Sequence, residues 1–348
     1  MSGDTGDKKE IKCVVWDLDG TLWEGILLES NEVKLKPGIR QIIQTLDSRG
    51  ILHSIASKSD YDDALAKIKE FKLEAFFLYP EISWNAKSTS IKRIQENLNI
   101  GLDTIMFIDD QPFERDEVQH EHPEVFCLDA SQYRNLPDHP RLNPRFITED
   151  SKKRRHLYLA DMKRKKIEQE YEGPKQDFLM SLDMTLIISQ AKEEDLKRAE
   201  ELTVRTNQLN TTGVTYDFDE LKRFLSSDDY RLFICELRDK YGSHGKIGLA
   251  LVEITDKFWQ LKLFLMSCRV LTYGVGTVFL SYILNEAKKA GMIVRSDFRD
   301  TGRNRMMYIT FKFANFREIQ SQTKGEILLE NNLTKIQEFP PYIHVIIQ

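Results

Sequence analysis

The chain has 348 residues, a formal net charge of −5, 30% charged and 41% hydrophobic residues. That length accommodates two domains of ordinary size, each able to bury its own core, and the mild acidity argues against nucleic acid as the main partner. No apolar run approaches the roughly 18 residues that a membrane span needs, and residues 1–10 are polar, so neither a spanning helix nor a signal peptide is expected and the expected compartment is the cytoplasm. The four cysteines, Cys13, Cys127, Cys235 and Cys268, lie far apart without a C-x-x-C pair, and read as reduced thiols.

In chain order, Cys13 to Trp16 is a short apolar run that stops abruptly at Asp17-Leu18-Asp19-Gly20-Thr21. It reads as a buried strand with two carboxylates just past its carboxyl end, where ligands bind in open α/β sheets. Residues i and i+2 of an extended segment point the same way, so Asp17 and Asp19 can face one small volume. Like charges that close call for a cation such as Mg²⁺. An isolated D-x-D-G-T also reads as a solvated turn, so later features matter.

A flap, Trp23 to Lys36, and a helix from about Pro37 to Gly50 come next. The apolar run Gly50 to Ala56 ends at Ser57-Lys58, a hydroxyl and a cation suited to phosphate oxygens. A helix over Tyr61 to Phe71 and a short strand over Ala75 to Tyr79 follow, then Lys87 ahead of a helix over Ser88 to Leu98. A third apolar run, Thr104 to Ile108, ends at Asp109-Asp110.

In these residues the chain resembles the haloacid dehalogenase (HAD) superfamily of Mg²⁺-dependent phosphotransferases, over about residues 1–150. The resemblance implies that Asp17 attacks phosphorus and Asp19 acts as acid and base. Thr21, Ser57, Lys58 and Lys87 would contact phosphate, and Asp109 and Asp110 would complete a Mg²⁺ site with Asp17 and the Asp19 carbonyl. Neither gap between these motifs holds a cap domain, so the Rossmann-like parallel-sheet core is expected to be capless.

Residues 151–174 are highly charged and read as a solvated interdomain helix ended by Gly173-Pro174. In residues 175–348 we expect a strand over Phe178 to Ser189, a helix over Glu193 to Thr206 and another over Phe218 to Ser226. Strand-like runs cover Tyr230 to Leu237, Lys246 to Ile254 and Phe258 to Ser267, with Tyr241-Gly242-Ser243-His244-Gly245 as a turn. Leu271-Thr272-Tyr273-Gly274-Val275-Gly276 then leads into a helix over Thr277 to Lys289, an anion-binding arrangement. This α/β half resembles the GNAT acyltransferase fold, except that Leu271 replaces the basic or amide residue of its pyrophosphate loop. That departure counts against acetyl-CoA and leaves room for a phosphopantetheine arm on a carrier protein, which presents one phosphate instead of a pyrophosphate.

The whole arrangement resembles the FkbH-like family of polyketide biosynthesis, a capless HAD core of subfamily IIIC fused to a GNAT-like half. The stretches carrying this are Val15 to Trp23, Phe107 to Arg115, Arg205 to Asn210 and Leu265 to Leu271. The resemblance implies that D-1,3-bisphosphoglycerate is dephosphorylated and its glyceryl unit loaded onto the phosphopantetheine thiol of an acyl carrier protein. The products feed methoxymalonyl-type or tetronate units, with no nucleic acid or membrane involved.

An acyl phosphate is activated for direct attack by a thiolate. Cys268, beside Arg269 and ahead of the Gly-rich helix start, is the candidate acceptor, although on residues alone it also reads as a small buried hydrophobe. His244 is a candidate base or a lone surface histidine. Asn207, Gln208 and Asn210 are candidates for glycerate hydroxyls or pantetheine amides. Trp23 and Trp84 flank the phosphate motifs. Two rival readings are a plain Mg²⁺-dependent phosphatase whose second half is a non-catalytic lid, and a non-catalytic carrier-protein docking module.

Overall fold

The computed structural model describes residues 9–30, 32–206, 208–323 and 325–348, and the chain is of α/β class. It divides into two compact units, one ending at Leu159 and the other beginning at Ala160.

The first unit is built on β1 (Cys13–Trp16), whose four residues are all buried. After it come the two-residue strands β2 (Trp23–Glu24) and β3 (Lys34–Leu35), paired as a small antiparallel flap. Helix α1 (Ile39–Ser48) buries Ile39, Ile42, Ile43 and Leu46, the i, i+3, i+4, i+7 stripe that a helix turns toward a sheet. Then follow β4 (Leu52–Ser57), α2 (Tyr61–Glu70), β5 (Glu81–Ile82), α3 (Lys87–Leu98), β6 (Ile105–Asp109), α4 (Pro112–Glu121) and β7 (Phe126–Asp129). The sheet order is β5-β4-β1-β6-β7, with every pairing parallel. Strand β1 lies in the middle, so the chain order reverses beside it and the ends of β1, β4 and β6 meet at one crevice.

Expected and observed elements differ at specific points. Residues 75–79 do not form a strand; Glu74–Phe76 is a 3-10 turn, and the edge strand comes later, at β5. Lys87 is the first residue of α3, which opens one residue earlier than expected.

Helices α5 (Glu149–Lys152) and α6 (Arg154–Glu170) follow. The expectation of a fully solvated helix is corrected: Asp161 and Arg164 of α6 are buried, because Arg164 donates to both carboxylate oxygens of Asp239 (2.6 and 2.8 Å). Phe178 belongs to a helix, α7 (Lys175–Ser181), and the strand starts only at β8 (Met184–Gln190).

The second unit continues with α8 (Leu196–Arg205), α9 (Phe218–Leu225), β9 (Tyr230–Asp239), β10 (Gly242–Ile254), β11 (Phe258–Met266), α10 (Val275–Lys289), β12 (Ile293–Arg299), α11 (Arg305–Phe313), β13 (Arg317–Thr323), β14 (Glu326–Asn331) and β15 (Ile343–Ile347). These strands form one mixed sheet in the order β13-β14-β12-β11-β10-β9-β8-β15. His244 is inside β10 and fully buried, not in a surface turn.

Strands β11 and β12 pair in parallel only from Phe258↔Ile293 to Leu261↔Ser296. One residue further on, a bulge at Lys262 shifts the β10–β11 register, and bulges bend strands. Beyond it the chain's own segment around Asn210 pairs with β11: Thr211 N–H donates to the Phe264 carbonyl (3.0 Å), Met266 N–H to the Leu209 carbonyl (2.9 Å), and on the β12 side Arg299 N–H donates to the Thr211 carbonyl (3.0 Å). No helix among the described residues is long and apolar enough to cross a membrane.

His53 in β4 is fully buried, accepts from Trp16 Nε1 (3.1 Å) and donates to the Ile43 carbonyl (3.2 Å). Burial pushes its pKa down to about 4. Its neutral form therefore contributes stability that is present above the unfolded value of 6.5 and is lost as pH falls toward 4, a linkage of about 3 kcal/mol. In urea unfolding, His53→Gln should be less stable than wild type at pH 7.5, and the gap should close between pH 6.5 and 4.

Candidate active site at the carboxyl ends of the parallel strands

Asp17 leaves β1 where Ser57 ends β4 and Asp109 ends β6, so three neighbouring strands deliver three polar side chains to one point. Lys87, opening α3, inserts its ammonium group among them: Nζ donates to Asp17 Oδ1 (2.6 Å) and to Asp109. Ser57 Oγ donates to the same Asp17 oxygen (2.9 Å). Asp17, Ser57, Lys87 and Asp109 are all at least nine-tenths buried.

Burial pushes the Asp17 carboxyl up to about 6, against the pull of Lys87 and Ser57 in the other direction, and Asp109 is raised for the same first reason. Burial also works against the charge of Lys87, but the two carboxylates outweigh it and hold its pKa above the usual lysine value.

One carboxylate oxygen each from Asp17, Asp109 and the exposed Asp110 lie within 4.8 Å of one another. An all-oxygen set of this kind fits a hard divalent cation, which would balance the carboxylate that Lys87 leaves uncompensated. Thr21 orients Asp110 by accepting its backbone N–H (3.0 Å). Gly20, at φ +67°, passes so close to Asp110 that a Cβ there would sit 2.5 Å from Oδ2. Only glycine permits this approach and this backbone conformation together.

Asp19 is half-buried and turns toward the flap: its Oδ1 accepts from Trp23 Nε1 (2.6 Å) and from the Leu27 backbone (3.1 Å). Its carboxylate is outside the three-aspartate cluster, which leaves Oδ2 available for proton transfer. Lys58, by contrast, donates to Glu114 of α4 (2.8 Å), a buried carboxylate whose other oxygen has no hydrogen-bond partner. Trp23 is buried, whereas Trp84 is 64% exposed.

In the second unit, Cys268 opens a 3-10 turn, Cys268–Tyr273, and is half-buried. That turn contributes Val270 and Leu271 to a cavity also lined by Leu209, Met266, Gly274 and Thr277, at the start of α10. Arg269 donates to the His244 carbonyl (3.0 Å) and faces Asp161 at 3.4 Å. His244 donates through Nε2 to Asp239 (3.1 Å), while Nδ1 has no hydrogen-bond partner and lies 3.7 Å from Asp161. Burial depresses the His244 pKa; hydrogen bonds from His244 and Arg164 outweigh burial to hold Asp239 well below the usual carboxylate range. Gln208 is exposed, Asn210 is buried with its Oδ1 accepting from the Thr212 and Gly213 amides (3.1 and 3.0 Å), and Asn207 lies outside the described residues.

Sequence reasoning missed Glu114, Asp161, Arg164 and Asp239. Glu114 stands next to Arg115 in the Phe107–Arg115 stretch, and that position was the available signal. Asp161 and Arg164 share α6 at i, i+3 spacing, but Asp239 comes from β9, and nothing in local spacing joins it to them.

No family model matches the sequence. Over 144 residues, 36% of this chain and 81% of its relative, the sequence is 26% identical to human magnesium-dependent phosphatase 1. Among solved structures, the N-terminal part of a Bacteroides fragilis protein, containing a phosphatase domain complexed with Mg, is 26% identical with a TM-score of 0.31. It covers 36% of this chain, and the chain spans only 38% of that one. The Escherichia coli ribosomal-protein-S18-alanine N-acetyltransferase is 14% identical with a TM-score of 0.33, over 42% of this chain and 90% of that one. The human relative supports a HAD-type first unit.

Removing Lys87 strands two buried carboxylates. At pH 7.5 in chelating buffer, Lys87→Met should lose on the order of 3 kcal/mol in urea unfolding, and the loss should shrink toward pH 5 as Asp17 takes up a proton.

Proposed function

We propose that the first unit is a Mg²⁺-dependent phosphatase and that the whole chain is a bifunctional glyceryl transferase and phosphatase acting on D-1,3-bisphosphoglycerate. The observation that carries the first half is the Lys87 ammonium held between Asp17 and Asp109 with Ser57 on the same Asp17 oxygen. Phosphoryl transfer depends chiefly on positioning and on charge stabilisation, and this site supplies both.

Bound through Asp17, Asp109 and Asp110, Mg²⁺ would draw the phosphoryl oxygens in and offset their charge. Asp17 attacks phosphorus through a carboxylate oxygen, the phosphorus–oxygen bond to the leaving group breaks, and Asp19 gives that oxygen its proton. Water, deprotonated by Asp19, then releases inorganic phosphate from Asp17. Trp23 and Leu27 fix the Asp19 carboxylate at one oxygen. Lys87 offsets the charge of the phosphoryl oxygens and Ser57 donates a hydrogen bond to them.

For the second half, the thiol of Cys268 gives up its proton and attacks the acyl phosphate carbon, the 1-phosphate leaves, and the 3-phosphoglyceryl group rests on sulfur before passing to the thiol of an acyl carrier protein, while water in the phosphatase reaction removes the 3-phosphate to leave the glyceryl unit. What supports this is the position of Cys268 at the head of the turn that feeds the cavity at the start of α10. Arg269 does not contribute a free cation: its guanidinium is engaged by Asp161 and the His244 carbonyl, so it fixes the turn. His244 is likewise committed to Asp239 through Nε2.

Intact-protein mass spectrometry checks the acyl step. After incubation with Mg²⁺ and D-1,3-bisphosphoglycerate, wild type should gain a phosphoglyceryl-sized or glyceryl-sized adduct that an added holo carrier protein removes, and Cys268→Ala should gain none. Phosphate release without an adduct on either protein would leave a plain phosphatase.

A further inference from the structure

Helix α3 departs from the usual chemistry of a helix start. It opens Lys87-Ser88-Thr89-Ser90 with no acid in its first turn, and its N-cap is Ala86, whose side chain accepts no hydrogen bond. The first N–H groups of a helix lack intrahelical partners, a polar N-cap ordinarily takes one of them, and a cation there opposes the helix dipole. Lys87 is that cation. The site needs it at this point, because its Nζ donates to Asp17 (2.6 Å) and to Asp109.

The missing acid comes from α4. Glu117 accepts the Ser88 backbone N–H on Oε2 (3.1 Å) and the Ser88 hydroxyl on Oε1. His122, at the far end of α4, donates through Nε2 to the Ser88 carbonyl (3.1 Å). Ser88 is buried, and its N–H, hydroxyl and carbonyl are each held from this one neighbouring helix. The opening of α4 also fixes Asp109: Gln111, its N-cap, donates its backbone N–H to Asp109 Oδ1 (2.8 Å), and Arg115 donates to the Asp109 carbonyl (2.7 Å) while pairing with Asp129 at the end of β7 (2.7 Å). Both ends of the Lys87–Asp109 contact are therefore set by α4.

A group that stabilises charge in a transition state has to be held within about 0.5 Å of its productive position by the contacts around it. Lysine carries its charge on a flexible four-carbon stem, so where Nζ arrives depends on where the stem begins. Resting on the phosphatase reading above, we propose that Glu117 is a positioning residue for Lys87: by gripping Ser88 it fixes the first turn of α3, and through it the ammonium group that meets the phosphoryl oxygens. Glu117 itself is outside the three-aspartate cluster.

The test uses the full chain with Mg²⁺ and p-nitrophenyl phosphate. Glu117→Ala should lower kcat and kcat/KM together by about tenfold or more, with KM and the Mg²⁺ concentration for half-activation moved less than about twofold. Glu117→Gln keeps an acceptor for Ser88 and should recover most of that loss. Ser88→Ala removes only the hydroxyl half of the grip and should fall the same way by a smaller factor. In a Lys87→Met background, Glu117→Ala should cost little more, because the group it positions is gone. A Glu117 that serves the fold alone would leave kcat at its wild-type value, or add its loss in full to that of Lys87→Met; either result would overturn the proposal. A second cycle needs no turnover. Unfolded in urea in chelating buffer, the double variant should lose less stability than the sum of the two single losses, and simple additivity would overturn the proposal. Hydrolysis by wild type of neither this ester nor D-3-phosphoglycerate would sink the phosphatase reading instead, and the urea cycle would then decide the positioning alone.

Discussion

One ammonium group, Lys87 Nζ, stands between two buried carboxylates, and the first unit is arranged so that this contact can exist. Taking a charged group out of water costs several kcal/mol unless partners are held in good geometry. Here the partners arrive from strand ends fixed by the parallel ladder: Asp17 after β1, Ser57 at the end of β4, Asp109 at the end of β6. Two carboxylates against one lysine leave a negative surplus, and the exposed Asp110 adds to it. That surplus makes the site a place for a cation and a phosphoryl group, since each compensates what the other brings.

The second unit meets the same problem differently. Arg164 of α6 is almost wholly buried and is matched by Asp161 and Asp239, with Arg269 and His244 completing the cluster. Acids and guanidinium groups balance two against two, and burial keeps His244 toward its neutral form. The cluster ties α6 and the β9–β10 hairpin to the turn that begins with Cys268. Its stability role and any role in presenting the thiol thus act through the same contacts.

Much of the candidate site was legible because Asp17, Ser57 and Asp109 each stand at the end of an apolar run, and a strand that ends abruptly in carboxylates or a hydroxyl is a local pattern. The flap, the helix opening at Lys87 and the parallel sheet follow from the same periodicity. Illegible were features set by tertiary contact. Residues 75–79 are apolar enough for a strand, yet a 3-10 turn takes their place and the edge pairing passes to β5. His244 sits among glycines and looked like a loop residue, but β10 starts two residues earlier and buries it against Asp239. The run of lysines and arginines in α6 hid Arg164, because an ion pair with Asp239, 75 residues away, has no signature in spacing.

The central claim is that Asp17, Asp109 and Asp110 form one divalent-cation site. The most direct measurement is a Mg²⁺ titration of unfolding temperature at pH 7.5, for wild type and for Asp109→Asn. Binding to the folded state alone stabilises by RT ln(1 + [L]/Kd), so wild type should gain stability steadily with the logarithm of Mg²⁺ concentration and Asp109→Asn should gain little. An unresponsive wild type, or an equal response in the two proteins, would contradict the account.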